Sequence, residues 1–62
     1  MTYYWLAVDK NDPELIFLYK NKKPVRNEEA GEWEGESCGS LDRKEYPTLT
    51  WEMEPILITI SI

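Results

Sequence analysis

The clearest pattern along the chain lies at its C-terminal end. In "PILITISI", isoleucines fall at 56, 58, 60 and 62, with Leu57, Thr59 and Ser61 between them. A strict period of two marks a β-strand with one dry face and one mostly polar face. At the other end, "YYWLAV" (Tyr3–Val8) is aromatic and apolar and too short for a helix. It reads as a strand with Tyr4, Leu6 and Val8 on one face and Tyr3, Trp5 and Ala7 on the other. Both faces are apolar, which predicts a central strand covered on each side. "DKNDP" (Asp9–Pro13) is turn chemistry throughout. "ELIFLY" (Glu14–Tyr19) is a second strand, and the short connection predicts an antiparallel hairpin.

"KNKKP" (Lys20–Pro24) is the next turn, followed by a short extended piece at Val25–Arg26. In "NEEAGEWEGES" (Asn27–Ser37), Glu32, Glu34 and Glu36 are spaced to share one strand face, with Trp33 turned the other way. The expectation is a charged, solvated edge strand anchored by a buried Trp33. Gly31, Gly35 and Gly39 argue against a helix there. "SLDRKEYP" predicts one helical turn near residues 41–46, with Ser40 as its N-cap, Leu41 and Tyr46 as anchors, and Pro47 as its stop. "LTWEME" (Leu49–Glu54) alternates too, and reads as a separate strand or as the start of one long strand interrupted at Pro55.

The expected architecture is therefore one small domain, residues 1–62, mainly β or small α+β. It has three to five short antiparallel strands in a twisted sheet or incomplete barrel. A chain of 62 residues buries only about 60% of the surface it exposes when unfolded. Cys38 is the single cysteine and there is no histidine, so neither an internal disulfide nor a Cys/His zinc site is expected. Support must come from its eight aromatic residues and from self-association.

The charge narrows the choice of function. Seven basic against twelve acidic residues give −5, which disfavours direct nucleic-acid binding and attachment to an anionic membrane. No apolar run approaches the ~20 residues that span a bilayer. The opening residues lack a secretion signal, and a free thiol without one points to the cytoplasm. With no histidine, neither Cys38 nor a serine has the usual catalytic base. There is no phosphate or dinucleotide fingerprint, so no cofactor is expected. No calcium loop accompanies the acidic residues.

The arrangement "YYWLAVDKND…ELIF", then "NKKPVRNEEAGEW", then "LTWEMEPI" resembles a set of short uncharacterised proteins of gut bacteria and their phages. The resemblance covers most of the chain, and the segment Cys38–Tyr46 departs from it most. It brings no activity with it. It implies a phage or mobile-element origin and an accessory, host-modulating binding role.

Two functional readings follow. The first is a non-enzymatic protein-binding module, working through an aromatic sheet face that includes Tyr3 and Trp5, or through a strand edge, with homodimerisation by the isoleucine strand as one form of this. The second is an acidic inhibitor of a nucleic-acid-binding host defence enzyme, in which Glu28, Glu29, Glu32, Glu34 and Glu36 imitate phosphates. A carboxylate-based enzyme is a remote third. The basic stretch Lys20–Arg26 reads as a solvated hairpin tip, or as a counterpart to the acidic residues after it.

Overall fold

A computed structural model describes residues 2–60, with only the backbone of Ile60; Ser61 and Ile62, the end of the alternating tail, lie outside the described residues. The described chain is mainly β, as the alternation predicts, with six strands in two antiparallel sheets and no closed barrel. The strands are β1 (Thr2–Ala7), β2 (Leu15–Lys20), β3 (Val25–Asn27), β4 (Glu32–Glu34), β5 (Ser37–Asp42) and β6 (Ile56–Ile60). Four of them form a sheet in the order β5-β2-β1-β6, and β3 pairs with β4 as a separate hairpin.

β1 is the interior strand that its two apolar faces require. Leu6 pairs with Leu18 on one side and with Ile56 on the other. Leu6 of β1 and Val8 just after it build one core with Ile16 and Leu49, flanked by Leu18, Leu41, Tyr46, Ile56 and Ile58. The odd face builds the second core, in which Ala7, Tyr19 and Trp33 are buried and Trp5, Phe17 and Trp51 pack around them. The β3–β4 hairpin covers this face through Trp33, while Glu32 and Glu34 on either side of it stand in solvent.

The turn after β1 and the tip of the β3–β4 hairpin hold each other. Lys10 and Asn11 donate their backbone N–H groups to the Gly31 carbonyl at 2.9 and 3.3 Å. The Asn11 side chain donates to the Ala30 carbonyl, and Asn27 Oδ1 accepts from the Ala30 N–H at 3.1 Å. Gly31 has φ +72°, a conformation that favours glycine.

Three expectations need correction. Leu49–Glu54 is not a strand. Leu49 enters the first core and Trp51 the second, so the two residues lie on opposite sides of the sheet. The segment crosses the end of the sheet in turns, with Leu49 N–H on the Tyr46 carbonyl and Met53 N–H on the Thr50 carbonyl. The helical turn is present where expected, as a 3-10 helix over Arg43–Glu45, but its cap is Asp42 and not Ser40; the Asp42 carboxylate accepts from the Lys44 N–H at 2.9 Å. Ser40 instead belongs to β5, a strand absent from the expected set, which takes the count to six. Ser-Cys-Gly-Ser has little intrinsic strand preference, and pairing with β2 imposes the conformation.

Candidate protein-interaction surface

The four-stranded sheet has two edges of different chemistry. β5 carries Gly39, ends in Asp42, and is interrupted: Leu18 pairs with Gly39 but Tyr19 pairs with Ser37, leaving Cys38 as an unmatched, bulged residue. Bulges, glycine and charge all blunt an edge against further pairing. β6, Ile-Leu-Ile-Thr-Ile, has no charge, glycine or proline within it, and Pro55 precedes its first residue. Among the described residues no strand pairs with its outer side.

Beside this open edge lies uncovered apolar surface. Leu57 is directly opposite Trp5, and Tyr3 is opposite Thr59, on the same sheet face as Trp33 but beyond its cover. Tyr3 is 53% exposed and Leu57 49%. Trp5 is half-buried, with Lys23 Nζ 5.6 Å from its ring centre. Tyr3 and Trp5 are thus brought together as the sequence predicts for a sheet face. Leu57 joins them and was not foreseen, because alternation tells which face a residue takes but not whether its strand is an edge.

The acidic residues do not converge. Glu28 and Glu29 are exposed in the tip of the β3–β4 hairpin, and Glu32 and Glu34 are exposed on β4. Glu34 accepts a hydrogen bond from the Asn27 side chain. Glu34 and Glu36 face Lys20, Lys22 and Lys23 across an open cleft of about 540 Å³ that Val25 also lines. The basic turn therefore interrupts the acidic surface. Among the described residues no three His, Cys, Asp or Glu side chains are placed to hold a metal ion.

The most elaborate side-chain constellation is centred on Arg26. Its guanidinium lies 4.8 Å from the Trp33 ring and 5.1 Å from the Trp51 ring. It donates to the carbonyls of Trp51 at 2.8 Å and Met53 at 3.2 Å, and pairs with Glu54 at 3.6 Å. Lys23 reaches the same carboxylate at 3.8 Å. This ties the segment before β6 to the β3–β4 hairpin. The two indoles are themselves in tilted contact, 5.6 Å apart.

Asp9 supports Trp33 from below, its carboxylate accepting the Trp33 backbone N–H at 3.0 Å. Partial burial raises its pKa above the usual 3.8, the Trp33 bond opposes this, and nearby Asp12 adds to it. Burial, with help from Asp9 and Glu32, pushes the Tyr19 phenol up to about 12. Both groups belong to the packing under Trp33 and not to an exposed reactive centre. Among the described residues no helix is long and apolar enough to cross a membrane.

No protein-family model, curated protein or solved structure matches the chain.

Proposed function

We propose that the protein is a non-enzymatic, protein-binding accessory module whose contact surface is the outer edge of β6 together with Tyr3, Trp5 and Leu57. The observation that carries this reading is the contrast between the two sheet edges: β5 is bulged and charged at its end, whereas β6 is uninterrupted and uncharged. An open edge can add a strand from a partner through backbone hydrogen bonds, with neighbouring side chains supplying specificity. Aromatic residues at the rim of such an edge suit this role, since Tyr and Trp are enriched at binding hot spots. The phage or mobile-element origin implied by the sequence resemblance fits a binding role, and the free, exposed Cys38 fits the reducing environment of the cytoplasm.

The acidic-inhibitor reading has less support. A phosphate mimic needs an uninterrupted negative field, and three lysines stand across the cleft from Glu34 and Glu36.

The two readings separate in a capture experiment on host-cell lysate to which a differently tagged copy of the chain has been added. Leu57→Lys/Thr59→Lys places charge on the β6 edge at two exposed positions and is expected to abolish capture while leaving the melting temperature near that of the wild type. Glu32→Gln/Glu34→Gln/Glu36→Gln is expected to leave capture intact in high salt and low. Capture that survives the lysine pair but fails with the glutamine triple reverses the assignment.

A further inference from the structure

We infer that the occupant of the β6 edge is a second copy of this chain, paired antiparallel to β6 about a two-fold axis at Ile58, so that two four-stranded sheets join into one of eight. The inference rests on the reading of β6 as the binding edge and names what binds there.

Strand phase is the first support. Residues directly opposed across an antiparallel ladder share a sheet face. Centring the pair on Ile58 sets position 56 against 60 of the copy and 57 against 59, so all five residues of β6 are matched. The face carrying Ile56 and Ile58 then continues from one copy to the next. On the reverse, Leu57 meets Thr59 of the copy, next to Tyr3 and Trp5. Displacing the register by one residue would turn one copy over and run its isoleucine face into the aromatic face of the other.

Charge is the second support, and it favours a copy over an unlike partner. Two chains of net charge −5 repel wherever their acidic surfaces meet. β6 has no ionisable residue, and its neighbours on β1, Thr2 to Leu6, include no Asp, Glu, Lys or Arg. Glu54, the side-chain carboxylate nearest to β6 in sequence, is offset by Lys23 and Arg26. Glu28–Glu36 belong to the β3–β4 hairpin and the residues that follow it, outside the four-stranded sheet. The edge offers a partner chosen by charge nothing to read, while an identical neutral strand meets no repulsion.

Area sets the strength. A standard interface takes about 800 Å² from each partner, roughly a fifth of the 4416 Å² this chain exposes. A five-residue edge that includes Leu57 and is flanked by Tyr3 is a short contact, so the dimer is expected to be weak and to depend on concentration.

Sedimentation equilibrium from micromolar to millimolar protein tests this. The wild type is expected to rise from 7.4 kDa to about twice that mass, and Leu57→Lys/Thr59→Lys to stay at 7.4 kDa throughout with unchanged circular dichroism. Register is read separately: in a Cys38→Ser background, Leu57→Cys/Thr59→Cys is expected to oxidise to a dimer with disulfides joining position 57 of one copy to 59 of the other. A wild type that stays monomeric at millimolar concentration, a dimer indifferent to the lysine pair, or disulfides in another pattern overturns the inference. If the wild type stays monomeric yet captures a different protein that the lysine pair releases, the second copy is wrong and the edge reading stands. If the lysine pair changes neither behaviour, both fail.

Discussion

The indole nitrogen of Trp33 donates to the backbone carbonyl of Val8 at 2.9 Å in a buried setting, joining the small hairpin to the first residue after β1. Trp33→Phe keeps most of the ring but removes the donor, leaving the Val8 carbonyl without its partner. The expected loss is about 1–3 kcal/mol of unfolding free energy. Trp33→Ala also removes a buried ring from the second core and is expected to cost about 3–5 kcal/mol, a large share of the stability of a domain of this size. Urea denaturation followed by tryptophan fluorescence gives both values.

Asp9 offers a test with a sign. Its pKa is raised on folding, so the folded state disfavours the charged form. The stabilising effect of the raised pKa is fully present below the ordinary value of 3.8 and is lost as pH rises through the folded value. Asp9→Asn keeps an oxygen to accept the Trp33 N–H and removes the charge, so stability at neutral pH is expected to be unchanged or higher. Its stability profile at and above pH 3.8 loses the Asp9 contribution. Asp9→Ala removes the acceptor as well and is expected to cost about 1–3 kcal/mol. Melting temperatures of the three proteins from acid to neutral pH decide the matter.

Arg26 depends on its planar shape. Lysine cannot lie against both the Trp33 and the Trp51 ring while donating to two carbonyls, so Arg26→Lys is expected to lose about 1–3 kcal/mol. Its ionic partner matters much less, because Glu54 is largely exposed; Glu54→Gln is expected to change stability by less than ~1 kcal/mol. Equal losses from the two substitutions would show that the ion pair, not the stacking and backbone bonds, holds the segment before β6.

Gly31 meets two constraints at once. Its φ is +72°, and an added Cβ would lie 2.9 Å from the Asn11 side chain. Gly31→Ala is expected to cost about 1–3 kcal/mol, with the turn around Asn11 the first region to lose protection from amide exchange. Replacing Asn11 by a smaller residue in the same chain should recover only the steric part.

Strands whose own residues specify them were legible in the sequence. Alternation placed β6, the two apolar faces placed β1 at the interior, and Trp33 between glutamates gave a buried ring with solvated neighbours. The misread segments depend on distant partners. Leu49 and Trp51 are two apart because each fills a different core, a spacing that imitates a strand. β5 has almost no strand signal and owes its conformation to β2. The candidate surface was half visible: Tyr3 and Trp5 follow from alternation, but the open edge and the exposure of Leu57 follow from strand order, which no local pattern records.

Residue-resolved amide hydrogen exchange along β6 tests the central claim most directly. In dilute protein, the β6 amides pointing away from β1 are expected to exchange fast and those bonded to β1 slowly, and the fast set is expected to become protected as concentration rises. Outward amides that are slow already in dilute solution, or that stay fast at every concentration while β5 gains protection, would contradict it.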